Sequence, residues 1–179
     1  DPTLVMKISD NIIIEGNRNI CNFKENKEKN YRIEKYYDVY HNKILELINL
    51  KKNKKKYLAI ISIHSFTPFW QNKKRDVDIG ILWDNDYRLP EIFFNFFLKN
   101  HRELIIGDNK PYSGRLKNDT IYKHATMNGL SNILIEIRQD LILEKTGQEF
   151  YAELISRPLL INKDNSALFK QSFCSSLAL

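Results

Sequence analysis

Cysteine is scarce in this 179-residue chain, and the two that occur, Cys21 and Cys174, lie far apart with no ligand-type spacing. That excludes a disulfide framework and a cysteine-based zinc site, and it points to a reducing compartment. No apolar run approaches the roughly 20 residues needed to span a bilayer, and no signal-like N-terminus is present, so a soluble, cytoplasmic protein without membrane partners is expected. There is no internal repeat. The chain also lacks an initiator methionine, opening Asp1-Pro2-Thr3, which implies residues trimmed or omitted ahead of it.

What is present is a basic, core-forming composition: 42% hydrophobic residues, a formal net charge of +6 and a pI near 9.2. The charge would permit nucleic-acid binding, but the lysines are interleaved with asparagine in loops and at one helix end. No aromatic-and-basic stripe accompanies them, so a solvated surface is the better reading and nucleic acid is not expected as a partner. The length suits one domain.

The hydrophobic pattern alternates between strand and helix periods. Ile33, Tyr37, Tyr40, Ile44, Leu47 and Ile48 recur at three- and four-residue steps, predicting an amphipathic helix from about Asn30 to Leu50. The lysines that follow it, from Lys51 to Lys56, suit the negative end of a helix dipole. Tyr57 to Thr67 reads as a strand apolar enough to be buried on both faces, ending at His64, Ser65 and Thr67. A second strand is predicted over Val77 to Trp83, then a helix entered near Pro90 with Ile92, Phe93, Phe96 and Phe97 as its buried stripe. Strands over Glu103 to Ile106 and Ser131 to Ile137 follow, and a last helix starts at Thr146, where Thr146 to Glu149 fits a capping box. Residues 161–179 carry no period and are expected to form a loosely ordered tail behind a single domain of residues 1–160. The alternation predicts an α/β sandwich with a largely parallel sheet.

Three features carry chemistry. His64 emerges from a buried strand at its carboxyl end, where open α/β sheets place their sites, and reads equally as a metal ligand or catalytic group and as a satisfied core histidine. His41 and His101 are expected to have packing or capping roles. Glu136 sits among Ile133, Leu134, Ile135 and Ile137, where an ionised carboxylate is costly unless it is paired, solvated in a cleft, or shifted upward in pKa. Arg138 points to the same side of that strand, which leaves two readings: a structural ion pair, or a general base poised beside a cation. Lastly, Asp108 to Gly114 forms a rigid loop whose Asn, Pro and Gly are explained by turn formation, while Tyr112 is not.

Taken in order, Asp1 to Met6, Gly16-Asn17-Arg18, Ile63 to Pro68, Ile79 to Asp84, Gly107-Asp108-Asn109, Pro111 to Gly114, the Tyr122/His124 pair and Ile135 to Asp140 resemble the N-formylglutamate amidohydrolase family, over residues 1 to about 157. The resemblance implies a zinc carboxypeptidase-like fold, a three-layer α/β sandwich whose mixed, largely parallel sheet is flanked by helices, with its site at strand ends. It further implies one zinc, with His64 as the later histidine ligand, Glu136 as general base, and hydrolysis of N-formyl-L-glutamate to formate and glutamate, a step of histidine breakdown. Arg138 is implied beside the reacting centre, with Arg18, Asn109, Tyr112, Ser113 and His124 as substrate-binding residues. Tyr122 and Arg75 rank below them.

Members of this family generally carry a segment ahead of the Asp-Pro-Thr stretch that supplies an early histidine and acid for the zinc. On that basis the chain is expected to be incomplete at its N-terminus, with an exposed sheet edge that favours a homo-oligomer. Two functions stay open: a zinc-dependent hydrolase acting on a small N-acyl amino acid, or a catalytically inactive domain of the same fold serving as a binding or structural module.

Overall fold

The structure is a computed structural model, and it describes residues 26–53 and 58–178. The N-terminal stretches, Arg18, Cys21 and Lys54 to Lys56 lie outside the described residues. The first helical segment runs α1 (Asn26–Arg32), one π-wound turn (Ile33–Tyr37) and α2 (Asp38–Asn53) without a break. Ile33, Tyr37, His41, Ile44 and Ile48 form its inward stripe, spaced by four, four, three and four residues. Of the positions expected to be inward, Tyr40 and Leu47 instead face out, at 43% and 49% exposure.

Next come β1 (Ala59–Phe66), a short hairpin of β2 (Phe69–Trp70) and β3 (Lys73–Lys74), β4 (Ile79–Leu82), α3 (Arg88–Asn100) and β5 (Ile106–Asp108). The chain then forms α4 (Thr120–His124), β6 (Ser131–Arg138), α5 (Lys145–Ile161) and the short α6 (Ser166–Phe169). The main sheet has the order β1-β6-β4-β5: β1 and β6 are parallel, β6 and β4 antiparallel, β4 and β5 parallel. The sheet is thus mostly parallel, as the alternation of periods predicts, and mixed, as the resemblance implies.

Because successive side chains alternate between faces, one parity of each strand serves one layer. Ile79, Ile81, Ile133, Ile135 and Ile137 point to a core completed by Leu89, Phe93 and Phe97 of α3 and Tyr151, Leu154 and Ile155 of α5. On the other face Ile60 and Leu134 meet Ile44 and Ile48 of α2 and Ile121 of α4. This gives helices on both sides of the sheet.

Four expectations are corrected. Among the described residues β1 pairs only with β6, so it lies at an edge, and Ile63 is 57% exposed rather than buried on both faces. The strand expected at Glu103 to Ile106 starts at Ile106, because Ile105 N donates to the Asp78 carboxylate in a turn ahead of it. The capping box at Thr146 does not form; α5 begins at Lys145, and its first turn closes through Gln148 N to Glu144 O at 3.1 Å. The tail is not loose. Leu168 is buried, Ser172 N donates to Gly129 O at 2.9 Å, and Ser176 Oγ and Leu177 N both donate to the Asp84 carboxylate. Among the described residues no helix is long and apolar enough to cross a membrane.

Gly80 and Gly107 let the 109–114 loop fold down onto the sheet. A Cβ on Gly80 would lie 2.2 Å from the Lys110 carbonyl oxygen, and one on Gly107 would lie 2.5 Å from the same atom. Gly80→Ala should therefore destabilise the fold by about 1–3 kcal/mol, since backbone rather than a side chain must move. Chemical denaturation reads this directly; an unchanged midpoint would mean the loop is not held against β4.

Candidate active site

The parallel ladder between β1 and β6 pairs His64 with Glu136 in register. Residues paired this way project to the same face from strands about 4.8 Å apart. Both side chains line a cavity of about 360 Å³, walled also by Tyr37, His41, Tyr112 and Ile121. The floor comes from the same parity of the strands, Ser62, Leu82 and Leu134. One step further along the ladder, Phe66 pairs with Arg138.

Glu136 is 7% exposed, and its Oε2 is buried with no hydrogen-bond partner among the described residues. On its other flank stands Gly80, which brings no side chain to satisfy it. Burial pushes this carboxyl up to about 7, and the charge of Arg75 pulls part of the way back. Near neutral pH such a group exchanges protons readily, which is what a general base requires. His64 lies at the open face, yet the protein packed around it lowers its pKa and keeps the imidazole neutral. A neutral imidazole has a lone pair for a metal or a proton.

The cation acting on Glu136 is Arg75 rather than the expected Arg138. Arg138 is 8% exposed and does not line the cavity; its Nε donates to Asp140 at 2.7 Å and its Nη1 pairs with Asp78 at 2.9 Å. The same Nη1 faces the carbonyls of Arg75, Asp76 and Val77 at 3.2–3.3 Å. These bonds fix the segment between β3 and β4.

The loop residues divide in the same way. Tyr112 reaches the cavity and accepts a hydrogen bond from Arg75 Nη1 at 2.9 Å. Asn109 does not reach it; in the left-handed region at φ 49°, its Oδ1 accepts from Trp83 N at 3.0 Å and Gly114 N at 2.9 Å, joining the end of β4 to the loop. Ser113 caps its own turn, accepting from Arg115 N. His124 is buried behind the cavity wall, with its Nε2 2.7 Å from Nδ1 of His41. Burial, then His124 and Lys123, push His41 down to about 4, and burial with Lys123 lowers His124, so both rings are neutral and one donates to the other. Sequence reasoning gave His41 a packing role, whereas it is His41 that faces the cavity. The signal was its place on the Ile33–Tyr37–Ile44–Ile48 stripe.

Among the described residues no group of three or more His, Cys, Asp or Glu side chains is arranged to hold a metal ion. His64 supplies one imidazole, where an open zinc site takes three protein ligands. The described residues therefore do not by themselves fit a zinc ion.

The pH dependence of stability follows from the raised carboxyl. Glu136 takes up its proton in the folded state at about 7, above its ordinary value of 4.5, so the neutral form's stabilisation is complete below pH 4.5 and is lost as pH rises through 7. Glu136→Gln should match the parent at pH 4 and exceed it at pH 8 by on the order of 3 kcal/mol. Denaturation at the two pH values measures the difference; equal stabilities at pH 8 would mean that the carboxylate is solvated.

The N-formylglutamate amidohydrolase family profile matches residues 1–143. The chain is also similar to the solved structure of the gene product Atu2144 from Agrobacterium tumefaciens, at 31% sequence identity and a TM-score of 0.68. That alignment covers 79% of this chain and 58% of the other, so the chain spans little more than half the length of that neighbour. No curated protein matches the sequence. With four-fifths of its length inside the profile, the chain belongs to the N-formylglutamate amidohydrolase family.

Proposed function

We propose that the cavity beside His64 and Glu136 hydrolyses the amide of an N-acyl amino acid, with N-formyl-L-glutamate as the leading substrate. The observation that carries this reading is the register of β1 and β6, which sets an imidazole and an orphaned, pKa-raised carboxyl side by side at the carboxyl ends of two parallel strands. Family membership supplies the reaction class, amide hydrolysis.

In this mechanism Glu136 removes a proton from the attacking water and returns it to the departing amine. Its pKa near 7 lets one group perform both transfers at neutral pH. Tyr112, at the mouth of the cavity, offers a phenol to the substrate. Zinc enters the proposal through His64, together with ligands outside the described residues; when bound, it would acidify water and polarise a carbonyl. The binding-module reading draws on the ligand set of the described residues, in which His64 is not joined by two further His, Cys, Asp or Glu side chains arranged to hold a metal ion.

Formate release from N-formyl-L-glutamate by the 179-residue chain, with and without added zinc, tests the proposal. Glu136→Gln should cut turnover by at least about 100-fold while zinc content is unchanged, because a general base is not a ligand. His64→Ala should lose metal, read by elemental analysis. Near-normal turnover of Glu136→Gln would remove the general-base assignment. A metal-free chain that folds and binds N-formyl-L-glutamate without releasing formate would favour the binding module.

A further inference from the structure

The segment from Phe66 to Asp78 is built around one guanidinium. β2 and β3 are joined by Gln71 and Asn72, both at positive φ (49° and 61°), as tight hairpin turns require. The hairpin brings Trp70 over the Arg75 guanidinium at 5.4 Å, while Phe66 from the end of β1 and Tyr112 from the opposite loop approach at 5.5 and 5.1 Å. Arg75 N donates to Pro68 O at 2.8 Å, closing the hairpin base. Three ring faces thus orient Arg75, and Tyr112 Oη takes one of its donors. Among the described residues no carboxylate pairs with it, in contrast to Arg138, Arg88 and Arg157.

A half-buried guanidinium, stacked by rings and lacking an anion, has most of its planar fork available for a bidentate partner. It does not itself line the cavity, but it donates to Tyr112, which does, and its charge reaches Glu136. Behind it, Arg138 gathers the carbonyls of residues 75, 76 and 77, so the backbone that carries Arg75 is held by the second guanidinium.

We propose that Arg75 anchors a carboxylate of the substrate, and that Arg138 is its positioning residue rather than a participant in the chemistry. The inference rests on the amidohydrolase reading only in taking an N-acyl amino acid as the ligand. The rings fix the fork without neutralising it, whereas a carboxylate in their place would already occupy the site.

Calorimetric titration of the full chain, in the Glu136→Gln background so that ligand survives, with N-formyl-L-glutamate and with its uncharged diamide separates charge recognition from shape. Arg75→Ala and Arg75→Lys should weaken N-formyl-L-glutamate by about 10- to 100-fold and leave the diamide within about twofold, because a lysine keeps the charge but not the fork. Arg138→Lys should show the same carboxylate-selective loss, and combining it with Arg75→Ala should add nothing further. A merely structural role for Arg138 would weaken both ligands together and would overturn the positioning assignment, as would additive losses. If Arg138→Lys fails to fold, the two Arg75 variants still decide the anchor. Unchanged affinity in Arg75→Ala, parallel loss of both ligands, or no binding of N-formyl-L-glutamate by the parent overturns it. The two proposals fail separately. Absent formate release with Arg75-dependent carboxylate selectivity retained removes the hydrolase and keeps the anchor, while formate release at an unaltered KM in Arg75→Ala does the reverse.

Discussion

Everything at the site depends on the register of one parallel ladder. Pairing Ala59 with Ser131 sends the even-numbered residues of β1 and β6 to the cavity face and the odd-numbered ones to the opposite face, where Ala59, Ile61, Ile133, Ile135 and Ile137 join the α3/α5 core. A one-residue slip of β6 would turn Glu136 toward the α3/α5 core and take Ile133, Ile135 and Ile137 out of it. The isoleucines thus enforce the register, and the register brings His64 to Glu136. The core and the chemistry are two faces of the same pairing.

The second constraint is space beside Glu136. Among the described residues its cross-strand neighbours are His64 on one flank and Gly80 on the other, and the main chain at Lys110 occupies the room a side chain on Gly80 would have taken. The result is a carboxyl kept out of water without a fixed partner. A pKa near 7 opposes folding at neutral pH, and the surrounding apolar core offsets that cost. Such a conflict between local stability and a proton-transfer role is expected where a fold carries function.

The three arginines near this region show how burial and partners separate equivalent side chains. Arg138 is closed in by Asp78, Asp140 and three carbonyls; Arg88 joins Asp86 to the carbonyl of Lys170 and so ties down the tail. Arg75 is stacked rather than paired. Of the three, only the last has donors to offer a ligand, although the family resemblance ranks it below Arg138.

Sequence alone determined the order of the four main-sheet strands and the three long helices, the α/β class, and the two anomalies that matter. A histidine at the end of an apolar strand and a glutamate inside SNILIEI are costly choices, and cost is visible in one dimension because burial follows from periodicity. Tertiary structure decided the rest. It made β1 an edge among the described residues, latched residues 171–177 onto Asp84 and Gly129, brought His41 rather than His124 to the cavity, and exchanged the roles of Arg75 and Arg138. Those outcomes depend on which distant groups compete for each hydrogen bond. A guanidinium two residues from a carboxyl on the same strand face is its natural partner until Asp78 and Asp140, at 2.9 and 2.7 Å, take its donors.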